Sequence, residues 1–177
     1  MEMMAPMLLN APRRVRFEGV SYTATGSRLT FHLTDHVRSE PQKAIAAAEN
    51  ALRALPHTPI AGLGFNFAFL VQGADAELLA LFSESIDVLA LLDDGASVVA
   101  KQWANVIKAE DCQIKVDCEC VDATVTIKIN FHYAVDTAIA AAEVLARADA
   151  YNSHHARAVE IAKALGRQEV EEPDAYN

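Results

Sequence analysis

Residues 111–133 of the chain read DCQIKVDCECVDATVTIKINFHY, and this stretch decides the fold class. Apolar and polar residues alternate one by one on both sides of a short break near Asp122. A period of two is typical of strands with one buried face and one face in water. The stretch therefore predicts an antiparallel hairpin in a sheet that is covered on one side. Its predicted buried face holds Cys112, Ile114, Val116, Cys118, Cys120, Val125, Ile127, Ile129, Phe131 and Tyr133.

The N-terminal part of the chain predicts another hairpin. Val15 and Phe17 alternate with polar residues, and the alternation changes phase at Gly19 before it continues through Val20 and Tyr22. A phase change at a glycine is typical of a β-bulge, so we expect one bulged strand here. A turn over residues 24–27 then leads into a second strand. That strand again alternates, with Leu29, Phe31 and Leu33 on one face.

Helices and a strongly apolar strand are predicted between the hairpins. Ser39-Glu40-Pro41-Gln42 is typical of a helix start, and Pro56 ends that helix. Residues 59–71 carry apolar side chains on both faces, which predicts a central strand covered on both sides. A second helix follows Asp75. Residues 97–107 fit either a helix or a strand, and we interpret them as a strand.

The last part of the chain predicts a long helix. Asp136 can cap it, and it extends to about Leu165, on the order of thirty residues or ~45 Å. We expect its first half to cover the sheet. The half beyond Tyr151 would then overhang the domain and support self-association through the C-terminal helix. A heptad seam along it holds Thr137, Ala141, Val144, Ala148, Tyr151, His155, Ala158, Ala162 and Leu165.

The predicted order of elements is β-β-α-β-α-β-β-β-α. Hairpins with segregated helices indicate an α+β fold with a mostly antiparallel sheet and a long C-terminal helix. A length of 177 residues with 52% hydrophobic residues predicts a single domain. We place this domain at residues 13–165. It lies between a flexible N-terminal segment, residues 1–12, and an acidic flexible tail, residues 166–177.

The charge of the chain limits its partners. A formal net charge of −9 repels phosphate backbones, so we expect no nucleic-acid partner. The exception is a short basic patch of Arg13, Arg14 and Arg16, which could contact a phosphate but is more typical of a solvated strand start. No run approaches the roughly eighteen apolar residues that span a bilayer. The first residues also lack a basic leading segment. We therefore expect a cytoplasmic protein with no membrane contact.

The candidate metal ligands have plain structural explanations. The even spacing of Cys112, Cys118 and Cys120 places all three on the apolar face of one strand, which favours buried small side chains over a zinc site. His32 and His132 lie on the polar faces of their strands, and they could hold a metal only if those strands were neighbours. The pair His154-His155 matches no zinc motif, and we expect one ring to pack and the other to face water.

Catalytic and cofactor motifs are not evident either. Gly-x-Ser-x-Gly and Walker sequences do not occur. Gly62-Leu63-Gly64 lies inside an apolar strand, so these glycines are better explained by close packing against a helix than by dinucleotide binding. We therefore predict no catalytic residue, no cofactor and no metal. The acidic groups are expected to be solvated, namely Asp93-Asp94, Asp117, Glu119, Glu169, Glu171 and Glu172.

A short segment resembles part of a group of uncharacterised bacterial proteins. It comprises Leu55-Pro56-His57-Thr58-Pro59-Ile60 and then Gly64-Phe65-Asn66-Phe67. That group is thought to resemble the SecB chaperone in fold. The resemblance covers about a dozen residues, and the chain departs from the SecB order by placing helices between its strands. It therefore implies no activity and no site residue. Physically, Thr58-Pro59 fixes the entry to the strand, and Asn66 is expected to bond a backbone group.

Together these features favour a non-enzymatic interaction or assembly protein that acts as a homo-oligomer. A chaperone-like role is a variant of this hypothesis and requires a long exposed apolar groove. The alternative is a small-ligand-binding protein or an enzyme. Its site would lie between the sheet and the helices and would be built from dispersed residues.

Overall fold

The computed structural model describes residues 13–17, 19–25, 27–33, 41–83, 99–147 and 149–166. The predicted N-terminal segment, the helix cap at Ser39 and Glu40, and the acidic tail beyond Gly166 lie outside these ranges. So do Ile86, Leu89 and residues 97–98 of the segment interpreted as a strand.

The largest element is a four-stranded antiparallel sheet. Its strands are β4 (Leu63–Val71), β5 (Lys101–Lys108), β6 (Gln113–Val121) and β7 (Thr124–Tyr133). The order across the sheet is β4-β7-β6-β5. The stretch that predicted the hairpin therefore forms the middle of the sheet, and β5 confirms the strand interpretation of the ambiguous segment.

A separate three-stranded antiparallel sheet precedes the first helix. It consists of β1 (Arg13–Phe17), β2 (Val20–Ala24) and β3 (Leu29–Leu33), in that order. Phe17 pairs with Val20, and Gly19 has a positive φ of 79°. The phase change at Gly19 is therefore a two-residue turn between two strands. The predicted single bulged strand is wrong, because a glycine in the left-handed region can reverse the chain completely.

Four helices accompany the sheets in the described part of the chain. They are α1 (Pro41–Ala54), α2 (Ala76–Ala80), α3 (Ala138–Leu145) and α4 (Ala150–Gly166). Helix α1 contacts β3 and α3, and α4 contacts β4 and β7. Asp75 caps α2 by accepting a hydrogen bond from Leu78 N at 2.7 Å, as its position predicts. The α+β class and a C-terminal helix of 17 residues confirm the predicted fold class.

The predicted continuous helix from Asp136 to Leu165 is divided into α3 and α4. Thr137, not Asp136, caps α3 by accepting from Ala140 N at 3.1 Å. Asp149, just before α4, has a positive φ of 60°. Of the residues predicted to form the seam, Ala141, Ala158 and Ala162 are fully covered within the chain. The part beyond Tyr151 packs on the sheet and does not overhang it.

Strand β4 lies at one end of the sheet, so the prediction of a central strand covered on both sides is wrong. Phe65, Phe67, Phe69 and Val71 are buried on one face, whereas residues 64, 66 and 68 on the other face are exposed. The exposed positions hold glycine, asparagine and alanine. Leu70 is the one large apolar residue of β4 on this second face, and it is half-buried.

The core fills the space between the covered face of the sheet and the helices. Phe69, Phe131, Ile127 and Leu78 are among its largest fully buried side chains. The buried residues of β6 and β7 lie on the face that the alternation predicts. No described helix is both long and apolar enough to cross a membrane.

The turn between β6 and β7 offers a test of local strain. Val121 pairs with Thr124, and the two turn residues Asp122 and Ala123 have φ values of 47° and 63°. A residue with a Cβ loses roughly 1 kcal/mol in this left-handed region. We therefore expect Ala123→Gly to raise the free energy of unfolding by about 1 kcal/mol.

Urea denaturation of wild type and Ala123→Gly would measure this change. Ala100→Gly, at an exposed position before β5, is the matched control and should not stabilise the protein. A lower stability of Ala123→Gly would contradict the strained turn.

Candidate functional site

Five polar side chains from four separate segments meet at one end of the sheet. We call them the tyrosine–histidine cluster, and they are Asp111, Cys112, Tyr133, Arg147 and His154. The Tyr133 hydroxyl lies 2.7 Å from His154 Nε2, and Tyr133 and Cys112 lie close enough for each to affect the pKa of the other. Arg147 Nη1 donates to Asp111 Oδ2 at 2.7 Å, and its guanidinium carbon lies 5.5 Å from the centre of the Tyr133 ring.

Aromatic rings of the sheet hold the two histidines of α4. His154 stacks on Phe131 with ring centres 4.5 Å apart and an angle of 13°. The ring centres of His155 and Phe67 lie 5.7 Å apart. Both rings are half-buried, so the expectation that one of them faces water is wrong. They occupy successive positions near the start of α4, where the helix reaches the sheet, and both pack against it.

The surroundings of the cluster favour the uncharged forms of Cys112, Tyr133 and His154. Burial, and then the negative charge of Asp111, raise the pKa of the Cys112 thiol. Burial and the same carboxylate raise the pKa of Tyr133. Burial lowers the pKa of His154, an effect that Asp111 opposes and Arg147 reinforces. A thiol with a raised pKa is a poor nucleophile. The cluster therefore resembles a polar clamp between helices and sheet more than an activated catalytic centre.

The clamp joins segments that are distant in sequence. Asp111 and Cys112 precede β6, Tyr133 ends β7, Arg147 lies between α3 and α4, and His154 belongs to α4. Sequence reasoning found Cys112, Tyr133 and His154 only as single strand or helix residues. Arg147 reaches the cluster from the break between α3 and α4, and Asp111 from the segment before β6; neither position carries a local sequence signal.

The cysteines are separate thiols in the structure. Cys118 is buried, and burial followed by the charge of Asp117 raises its pKa to about 11. Cys112 and Cys120 are half-buried and pack against the core. Among the described residues no group of three or more His, Cys, Asp or Glu side chains is placed to hold a metal ion.

The remaining candidates also have structural explanations. His32 lies in the three-stranded sheet and His132 in the four-stranded sheet, so the two are not neighbours on one face. Gly62 and Gly64 make room for side chains of β7, because a Cβ there would overlap His132 and Asn130. The close packing is thus against a strand, not the predicted helix. Asn66 Oδ1 accepts from Asn130 Nδ2 at 2.7 Å, and this side-chain bond replaces the expected backbone bond.

Strand β5 is the most exposed part of the four-stranded sheet. Its residues 104–108 are exposed on both faces, and Val106 and Ile107 retain 63% and 50% of their accessible surface. No described strand pairs with its outer edge. Exposed apolar residues on an open edge form a template for another strand. The sequence carries no signal for this surface, because the spacing of Trp103 and Val106 bears only on the choice between helix and strand.

Comparison of the chain with protein-family models, curated proteins and solved structures gave no match. The SecB-like resemblance therefore stays a prediction.

The burial of His154 predicts a pH-dependent stability. Its pKa is lowered in the folded protein, so protonation favours the unfolded chain. The free energy of unfolding should be constant above the ordinary pKa of 6.5 and should fall as the pH drops below it. His154→Phe keeps a ring on Phe131 but cannot titrate, so its stability should depend less on pH between about 7 and 5.

Urea denaturation at a series of pH values would compare the two proteins. His57→Gln, which changes an exposed histidine after α1, is the control and should keep the wild-type slope. The prediction fails if His154→Phe and wild type lose stability in parallel.

Proposed function

We propose that the chain is a non-enzymatic interaction protein that assembles as a homo-oligomer through the outer edge of β5. The observation that carries this proposal is the exposure of Val106 and Ile107 on an edge strand that no described strand covers. Natural edge strands are commonly protected by charges, prolines or bulges. The middle of β5, residues 104–107, has none of these features.

The backbone of β5 supports pairing with another strand. Ala109 N donates to Cys112 O at 2.9 Å. This pair continues the antiparallel pairing of β5 with β6, in which Lys108 lies opposite Gln113. Hydrogen-bonded and non-bonded pairs alternate along an antiparallel ladder. The odd-numbered residues of β5 therefore bond to β6. The backbone groups of Gln102, Ala104, Val106 and Lys108 point to the open edge.

One register makes two copies of β5 self-complementary. With Asn105 opposite its own counterpart, Trp103 faces Ile107 of the second copy and Ala104 faces Val106. Shifting the register by two residues in either direction places Ile107 opposite Lys101 or Asn105. In the favoured register neither Lys101 nor Lys108 lies opposite another charge. Two acidic chains can therefore approach along this edge without direct repulsion, and a two-fold axis at Asn105 would create one eight-stranded sheet.

This location replaces the self-association through the C-terminal helix that the heptad seam suggested, because Ala141, Ala158 and Ala162 of the seam are buried within the chain. The chaperone-like variant has weaker support. The apolar surface of β5 is a short strand edge, whereas binding of unfolded chains needs a long groove.

The alternative of a small-ligand-binding protein or an enzyme is supported by the tyrosine–histidine cluster, where a thiol, a phenol and an imidazole converge. Its groups already bond to each other, so a ligand would have to replace those bonds. Tyr133→Phe separates the two functions, because it would remove ligand binding at the cluster and leave assembly through β5 intact.

Light scattering coupled to size exclusion tests the assembly. Wild type should show a concentration-dependent mass approaching twice 19.2 kDa. Ile107→Lys places a charge in the paired edge and should weaken dimer formation about tenfold or more. Leu55→Lys is the matched control, because Leu55 is 56% exposed at the end of α1 and should not affect the mass. A wild-type chain that is monomeric at every concentration would refute the proposal.

Disulfide cross-linking tests the register. In the proposed pairing the two Asn105 residues form a non-bonded pair with Cα atoms about 4.5 Å apart, within the range of a disulfide. Asn105→Cys should therefore give a covalent dimer under mild oxidation. Ala104→Cys and Val106→Cys should stay at the wild-type level. Preferential cross-linking of either control would show a different register, and a dimer that none of the three cross-links would place the interface elsewhere.

A further inference from the structure

One face of the three-stranded sheet carries only polar side chains. The register places Arg16, Ser21 and His32 in one row across the strands. The adjacent row on the same side holds Arg14, Thr23 and Thr30. We call these six residues the donor face, because each can donate a hydrogen bond and none is a carboxylate.

Ser21 lies at the centre of the donor face with an unused hydroxyl. Its accessible surface is 0%, and its Oγ has no hydrogen-bond partner. It belongs to the middle strand, with Arg16 opposite on one side and His32 opposite on the other. Directly opposed side chains have Cβ atoms about 5 Å apart, so both neighbours can reach one group bound at Ser21. Buried hydroxyls in folded proteins normally have a partner, so this one requires an explanation.

No carboxylate in the described part of the chain neutralises the positive charge on the donor face. Arg14 and Arg16 are exposed, and no described carboxylate lies within salt-bridge distance of either guanidinium. Burial and then the charge of Arg14 lower the pKa of His32, which places that arginine close to the imidazole. Two arginines without a carboxylate partner among the described residues, beside an unpartnered hydroxyl, are unexpected in a chain with a net charge of −9.

We propose that the donor face binds a small tetrahedral oxyanion, either inorganic phosphate or the phosphate group of a monoester. Arg14 and Arg16 would supply charge-assisted hydrogen bonds to its oxygens. The Ser21 hydroxyl, which has no accessible surface in the unbound protein, would donate to it once the side chains that cover it move aside. His32 would donate from its ring nitrogen and gain a proton when the anion binds. The net negative charge disfavours a polyanion, which is why the ligand is a single small group. This site is independent of assembly through β5.

The histidine signal gives a direct readout of binding. Proton NMR titration of His32 with inorganic phosphate should raise its pKa by about one unit, since a nearby anion favours the charged imidazole. Methyl phosphate is the second probe. An equal effect indicates a site for monoesters, and an effect of inorganic phosphate alone indicates a site for the free ion. Sodium chloride at matched ionic strength should raise the pKa of His32 much less, because it only screens the charge of Arg14. An equal effect of chloride would overturn the proposal.

Paired variants identify the ligand contacts. The double variant Arg14→Gln/Arg16→Gln should lose at least about tenfold in phosphate affinity by calorimetry. Arg28→Gln, an exposed arginine in the turn of the same sheet, should bind as wild type. Wild-type affinity of the double variant would overturn the proposal.

Ser21→Ala separates a binding role from a purely structural one. Without phosphate its melting temperature should equal or exceed that of wild type, because the hydroxyl has no partner to lose. Added phosphate should raise the melting temperature of wild type more than that of Ser21→Ala. An equal loss of stability with and without phosphate would show that Ser21 has only a structural role and would remove it from the site.

Discussion

The four-stranded sheet needs helices on one of its faces, and the rest of the structure depends on this requirement. The strands β6 and β7 place an unbroken apolar row on that face, and burial of each large side chain contributes about 1.5–3 kcal/mol. Helix α4 meets this face with Ala158 and Ala162, which are fully buried. Small side chains let the helix lie close to the sheet. At its N-terminal end Tyr151, His154 and His155 fill the space against the phenylalanines of β4 and β7.

The sequence predicts well those elements that are determined by a few neighbouring residues. Strict alternation defines β6 and β7, and a capping aspartate at Asp75 defines the start of α2. The position of β4 at the end of the sheet depends on its pairing with β7, which is more than fifty residues away in sequence. The division between α3 and α4 occurs in an alanine-rich segment with high helix propensity. The left-handed backbone of Asp149 and the contacts of Arg147 with Asp111 and Tyr133 distinguish this segment from a continuous helix.

The tyrosine–histidine cluster and the donor face also differ in how far the local sequence can predict them. Each residue of the tyrosine–histidine cluster looks ordinary in its own segment, because the cluster exists only after two strands and two helices meet. The donor face depends more on local sequence, since Arg14 and Arg16 occupy alternate positions of one strand. The interpretation of Gly19 as a bulge does not predict the donor face. A bulge leaves β1 and β2 as one strand, whereas a turn at Gly19 places Arg16 beside Ser21.

The exposure of β5 is a consequence of how much sheet one helix can cover. An α-helix with its side chains is about 10–12 Å wide, and neighbouring strands are about 4.8 Å apart, so a single helix covers roughly two strands. Helix α4 contacts β4 and β7, which leaves β6 at the margin and β5 beyond it. Burial decreases in the same order, from fully covered residues on β7 to exposed residues on β5. Pairing of two such edges would bury the apolar residues that the helix cannot reach, and it would do so without any change in the fold of either chain.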